Sequence, residues 1–228
     1  MEDKKYELVL SDTKTIFNQT VYRIRALKDF DNVCKGDLGG YIASEKNLSH
    51  DGNCWIYKNA TILDNVRVYD NAKISRSILI CDNAQIFGNA IISGLVTIYG
   101  NAKIYGNAVI LGNALICDNA EVYGHTLIRD KAQIYENTII NGDVEIIGSP
   151  EFIGDAVISN NKDYLVFKNW WGNNILITWT RSNNKYNVEY ISYTGEELIE
   201  KAYNYSKIDG REYERIVKYV ESILKDDK

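Results

Sequence analysis

From Cys54 to Ile158 the apolar residues fall in two columns with a period of six. The first column holds small or branched side chains: Cys54, Ala60, Val66, Ala72, Ile78, then mostly alanine up to Ala132. The second, two residues further on, is aliphatic from Ile56, Ile62 and Val68 to Ile146, Phe152 and Ile158. Pro150 breaks the first column and Ala156 resumes it, and no insertion shifts the frame. Small, variable, aliphatic, variable is strand alternation, which puts the two columns on one face and the variable residues on the other. The last two positions of each hexad, mostly Gly-Asn or Asp-Asn, are turn residues that tolerate positive φ. Three such corners close one coil of eighteen residues. The pattern therefore predicts a three-sided solenoid of short parallel strands, with coils about 4.8 Å apart.

The flanks follow other rules. Residues 1–50 are out of register and are expected to form a β cap, with TVYRIRAL as a strand. A cap is needed because an open coil end exposes core and unpaired backbone. The GDLGG run (Gly36, Gly39, Gly40) lacks the Lys-Ser/Thr and the helix of a phosphate loop, so turn geometry is the expectation there. The solenoid is assigned to residues 51–160. Residues 161–228 read as a small α+β domain of three strands, with Gly/Asn turns at 172–174 and 182–184, followed by two helices. Thr194 with Glu197 makes a capping box for the first helix. Tyr213, Ile216, Val217, Val220, Ile223 and Leu224 line one face of the second.

Outward residues eighteen apart stack into ladders. One face carries Ile91, Val109, Leu111 and Leu127, and a second carries Leu79, Tyr99, Leu115 and Tyr135. Both are too apolar to be left in water and predict interfaces, with cover by the tail domain as the rival explanation for one of them. The third face sets aromatic rungs (Tyr69, Phe87, Tyr105, Tyr123) beside charged ones (Arg67, Lys103, Glu121). Such rungs either hold a flat ring or a phosphate, or stack on one another and stiffen the coil.

Composition narrows the function. A net charge of -5 argues against a nonspecific DNA binder. The N-terminal stretch has no apolar signal core and no segment approaches a membrane span. The four scattered cysteines (Cys34, Cys54, Cys81, Cys117) fit a reducing cytoplasm rather than a disulfide scaffold. Cys81 and Cys117 lie two rungs apart on one ladder, beyond disulfide reach.

IYGNAKIYGNAVI and its neighbours resemble the hexapeptide-repeat family over roughly residues 50–160. FDNVCKGDLGGYIASEKNLSHDGNCWIY is similar to the leading segment of the bacterial and phage YdcK-type subset, which is grouped with the transferases. FKNWWGNNILITWTRSNN, YTGEELIEKAY and GREYERIVKYVESIL are similar to a tail of phage and prophage hexapeptide proteins. The resemblance implies a mainly β fold: a left-handed parallel β-helix of hexapeptide repeats, with an N-terminal cap and a small C-terminal α+β domain. It also implies a homotrimer, which packs through two faces per subunit. The phage context implies the cytoplasm of an infected bacterium.

Many members of that family are acyltransferases with a histidine base and acyl-coenzyme A as donor. The candidate base is His125, in the corner slot where other repeats carry Asn, with Asp143 one coil above to orient it. A corner replacement is the alternative reading, and His50 shows no obvious partner in the sequence. No metal site is expected, because no Cys/His cluster exists. The acidic corner ladder Asp64, Asp82, Asp118 and Glu136 reads as turn residues. Two function classes result. One is a non-catalytic binder with no cofactor that sequesters a small anionic ligand such as a host nucleotide immune signal. Its candidate contacts are Arg67, Tyr69, Phe87, Lys103, Tyr105 and Tyr123, with Trp170, Trp171 and Arg181 of the tail. The other is an acetyl-coenzyme A-dependent O- or N-acyltransferase; a structural scaffold is the third option. The scarcity of general bases favours binding.

Overall fold

The computed structural model describes residues 4–172 and 174–226. An antiparallel hairpin opens the chain, β1 (Tyr6–Ile16) with β2 (Gln19–Ala26), and β2 pairs antiparallel with β3 (Leu38–Ile42). β3 is already a solenoid rung, since Tyr41 and Ile42 pair in parallel with Thr61 and Ile62. The solenoid thus begins about a dozen residues before the boundary read from the repeat, because Leu38–Ile42 obeys the alternation but not the hexad spelling. Gly39 and Gly40 lie inside this strand; a Cβ on either would sit 2.6 Å from a backbone carbonyl, of Ile56 or Ala60. They serve close packing, and only Gly36 is at a positive-φ turn.

Eighteen short strands follow, from β4 (Trp55–Ile56) to β21 (Val157–Ile158), in three parallel sheets. Residues eighteen apart are in register: Ile92 with Ile110, Ile98 with Ile116, Ile104 with Val122. Every member of the aliphatic column is buried, and the alanines of the small column are buried beside it. At about 25 cal/mol per Å² of apolar area, this continuous core is the main source of the solenoid's stability.

The corners refine the sequence reading. Positive φ falls on the Gly or Asp that precedes the corner residue, usually Asn: Asp70, Asp82, Asp118 and Asp130 at 58–59°, with Gly100 and Gly106 among the glycines. Of the corner asparagines only Asn59 is left-handed, and His125 is not. Each slot has its own chemistry. Glycine adopts αL without a Cβ clash, while an Asp there accepts the N–H of the next coil, as Asp82 does from Gly100 at 2.8 Å and Asp118 from Glu136 at 3.0 Å. The Asn slot builds amide ladders. Asn65, Asn83, Asn101, Asn119 and Asn137 are joined side chain to side chain at 3.0–3.3 Å.

Both coil ends are covered. At the first, Tyr6, Phe30 and Trp55 close the core, and the buried Lys5 ammonium donates to the carbonyls of Asp51, Gly52 and Cys54. At the other, Tyr164 packs edge-on to Phe152 at 5.3 Å. The tail domain is an antiparallel sheet of four strands, not the three expected: β22 (Tyr164–Lys168), β23 (Leu176–Thr180), β24 (Lys185–Val188) and β25 (Ile191–Tyr193). The missed turn is Glu189-Tyr190, both at positive φ, in a sequence without the Gly or Asn that normally marks such a turn. Of the expected 172–174 turn, residue 173 lies outside the described residues. Helices α1 (Gly195–Tyr205) and α2 (Lys207–Asp226) cover the sheet. The capping box is present, with Glu197 N donating to Thr194 Oγ1 at 3.2 Å and Thr194 N to Glu197 Oε2 at 2.7 Å. The tail docks on the last coil through Glu151. Glu151 N donates to Thr178 Oγ1, Asn187 Nδ2 donates to Glu151 O, and Tyr190 N donates to Glu151 Oε2, each at 3.0 Å.

Candidate functional site

The structure brings the aromatic ladder together and changes what it can do. Tyr69, Phe87, Tyr105 and Tyr123 stack with ring centroids 4.7 Å apart and interplanar angles of 4°, 3° and 8°. That is stacking distance between the rungs themselves, so no slot remains between them for a ligand ring. The cation beside the ladder is also taken. Lys103 Nζ pairs with Glu121 Oε1 at 2.8 Å, and Tyr105 donates to Glu121 Oε2 at 3.2 Å. Burial, then the Glu121 charge, push the Tyr105 phenol up to about 12. In the middle of the ladder Phe87 and Tyr105 are rungs of this stack, and Lys103 is held by Glu121.

The end of the ladder differs. Tyr69 has a ring neighbour on one side only, Phe87. One coil earlier the residue beside it is Ser49 of the cap, since Leu48 bridges Val68 in parallel and Ser49 N donates to Val68 O at 2.9 Å, and a cleft of about 710 Å³ opens there. Arg67 and Tyr69 line it together with Lys46, Ser49, His50 and Asp51. Arg67 is exposed, and its side chain makes no ion pair or hydrogen bond among the described residues. Three acids line the cleft with these cations, Glu45, Asp51 and Asp70; Glu45 is held by Lys4 at 2.9 Å, and Asp70 accepts the Gly88 N–H at 3.1 Å. The cleft thus combines a free aromatic face with an unpaired guanidinium.

The two histidines sit in different surroundings. His125 sits exposed at a corner and ends a second amide ladder, Asn71, Asn89 and Asn107, with Nε2 3.3 Å from Asn107 Nδ2. Assigned as the acceptor of that amide N–H, Nε2 has its lone pair occupied. No hydrogen bond or ion pair joins Asp143 to it among the described residues. His50 has partners that the sequence did not reveal. Its ring stacks on Tyr6 at 4.4 Å, Nδ1 accepts the Lys5 N–H at 3.2 Å, and Nε2 is 3.9 Å from Glu45. With Nδ1 accepting, the neutral ring carries its proton on Nε2, which is buried beside Glu45 rather than open to the cleft.

The tail residues do not form one patch. Trp170 is 75% exposed, and Trp171 is half-buried, donating to Asp209 Oδ1 at 2.9 Å with its ring 5.8 Å from Tyr213. Arg181 lies at the opposite end of β23, donating to Lys162 O and reaching over Trp179 at 5.7 Å. Five strand residues, about 17 Å, separate it from the Trp pair. Trp179 is core.

Of the two apolar faces, one is bracketed within the chain. Leu79 and Cys81 pack beside Ile16 and Val21 of the hairpin, and Tyr135 meets Tyr190 of the tail at 6.0 Å. Tyr99 and Leu115 lie between these covers. The other face leaves Ile91 42% exposed beside Val109, Leu111 and Leu127, which are half-buried. Asp64, Cys81 and Asp82 come within 4.8 Å of one another. Both carboxylates already accept N–H groups of the next coil. Burial and the two Asp charges push the Cys81 thiol up to about 11. Among the described residues no helix is long and apolar enough to cross a membrane. No family model matches the chain, and no curated protein matches it.

Proposed function

We propose that this protein is a non-catalytic binder that sequesters a small anionic ligand with a flat ring, of the nucleotide class, at the end of its aromatic ladder. The observation that carries the reading is the pairing of the free Tyr69 face with the unpaired Arg67 in one cleft. A ring placed there continues the stack as its next rung, and base–aromatic stacking contributes about 1–3 kcal/mol per base. Arg67 and Lys46 meet the anionic group, with the guanidinium fork suited to phosphate. The occupied lone pair of His125 and the buried Nε2 of His50 weigh against the acyltransferase alternative. The homotrimer belongs to the same proposal: the face with Ile91, Val109, Leu111 and Leu127 is open and apolar, as a self-association surface requires. Hexapeptide-family membership and the setting in a phage-infected bacterial cytoplasm rest on the resemblance of the sequence.

The test is retention. The protein is mixed with cyclic di- and trinucleotides, cyclic ADP-ribose isomers and acetyl-coenzyme A, filtered, then heat-denatured. The expected result is a nucleotide that disappears from the filtrate and returns intact. Conversion of acetyl-coenzyme A to free coenzyme A in the presence of an acceptor would place the acyltransferase first.

A further inference from the structure

A separate pocket opens where the cap meets the first corner of the solenoid. It has a volume of about 560 Å³, and its walls include Gly36, Asp37 and Leu38 of the cap, Tyr57 of the first coil, and Lys58 and Arg76 at the corner. The volume is within the usual range of small-molecule sites, roughly 300–1,000 Å³. The pocket shares no lining residue with the ladder-end cleft.

This corner is built unlike those that follow it. Residues eighteen apart along it are Lys58, Arg76, Gly94, Gly112, Asp130 and Gly148. From Gly94 onward the slot is at positive φ and holds Gly or Asp, which tolerate that conformation. Arg76 holds φ +73 in the same slot, without the freedom of glycine or the short polar side chain of aspartate. Such an outlier points to a use for the side chain. One coil earlier the column falls on Lys58. Tyr57 N donates to Ile74 O at 2.8 Å, which fixes the register and sets Lys58 beside Arg76, with their backbones one coil spacing, about 4.8 Å, apart. Like charges on neighbouring rungs repel. Both side chains are exposed, and neither makes an ion pair or hydrogen bond among the described residues. Asp37, the acid in the pocket, pairs with neither and accepts the Cys34 N–H at 2.9 Å through Oδ2. Lys73 and Asp31, beside Tyr57, neutralise one another at 2.6 Å. The pocket thus holds two accessible cations against one acid.

We propose that this pocket binds a phosphate group, carried by free phosphate or by a small phosphomonoester. Arg76 supplies a planar fork that matches two phosphate oxygens, and Lys58 supplies a second charge one rung away. The bound anion removes the repulsion between the two rungs. Leu38 and Tyr57 give the carbon skeleton of an ester an apolar wall. This site is separate from the ladder end and does not depend on it.

Titration calorimetry of the protein with sodium phosphate and with glucose 6-phosphate, against sodium chloride at matched ionic strength, tests the assignment. A saturable site is expected for at least one of the two phosphates and not for chloride. Tighter binding of the sugar ester identifies a phosphomonoester as the ligand, and tighter binding of phosphate identifies the free anion. Arg76→Gly is expected to weaken binding about tenfold or more, the equivalent of about 1.4 kcal/mol. Its urea midpoint is expected to stay level or rise, because glycine accepts the φ that arginine resists. An arginine kept for structure alone would lower the midpoint on removal and leave binding intact. Lys58→Ala is expected to weaken binding about tenfold. Lys131→Ala, at a later corner outside the pocket, is expected to change nothing. Failure of both phosphates to bind beyond chloride, or binding that survives both Arg76→Gly and Lys58→Ala, as binding at the ladder-end cleft would, overturns the assignment.

Discussion

Replacing Phe87 by Ala separates the structural role of the ladder from its binding role. Phe87 is half-buried, with a ring stacked on each side at 4.7 Å. Each aromatic pair is worth about 0.5–1.5 kcal/mol beyond area burial, so two pairs give roughly 2 kcal/mol. A fully buried Phe→Ala costs about 3–5 kcal/mol, and a half-buried ring loses a fraction of that. The sum for Phe87→Ala is about 3–4 kcal/mol of unfolding free energy. Tyr69 has one ring neighbour, so Tyr69→Ala costs about 1 kcal/mol less. Binding follows the opposite order. Tyr69→Ala removes the ring on which the ligand stacks and weakens retention about tenfold or more. Phe87→Ala leaves the Tyr69 outer face and Arg67 in place and keeps retention within about threefold at temperatures where the variant is folded. Urea unfolding measures the first quantity, and equilibrium dialysis with the retained nucleotide measures the second. A Phe87→Ala variant that is folded yet loses the ligand, beside a Tyr69→Ala variant that keeps it, would refute the reasoning.

Three further outcomes are expected. Gly106, at φ +69, should lose about 1 kcal/mol on change to Ala, and Gly106→Asp should recover part of it by accepting the Gly124 N–H as Asp70 accepts that of Gly88; urea midpoints compare the two. Tyr99 and Tyr105 are pushed up to about 12 from 10.0, so the unfolded chain ionises first. Their contribution to stability is intact below the unfolded value and is lost as pH rises through the folded one. Unfolding free energy should fall between about pH 10 and 12, and Tyr105→Phe should flatten that fall in a series of denaturant titrations. His125→Asn should leave both thermal melt and ligand retention unchanged, because it only extends the amide ladder from Asn107; an accompanying loss of acetyl transfer would contradict the corner assignment.

The solenoid was legible because its signal is repeated. Each hexad states the same alternation, and the buried Ile62, Ile80 and Ile98 follow the column residue for residue. What repeats cannot specify is what happens where they stop. β3 spells its rung as LGGYI, which breaks the hexad but keeps the alternation, so the coil starts earlier than the spelling. The Glu189-Tyr190 turn carries no turn residue and is held from outside, by Glu151 and Tyr135 of the solenoid. Local sequence holds no trace of such a support. The candidate site was half legible. Arg67 and Tyr69 stood out through their column, but column membership treats all four aromatics alike. Tyr69 and Tyr123 both end the stack, and only the cap, which opens a cleft beside Tyr69, distinguishes the two.

The central claim is tested most directly by the crystal structure of the protein with the nucleotide it retains. The account predicts the ligand ring stacked on the outer face of Tyr69, at the 4.7 Å centroid spacing of the ladder, with its anionic group on Arg67. A ligand bound elsewhere, with the cleft at Tyr69 empty, would contradict it.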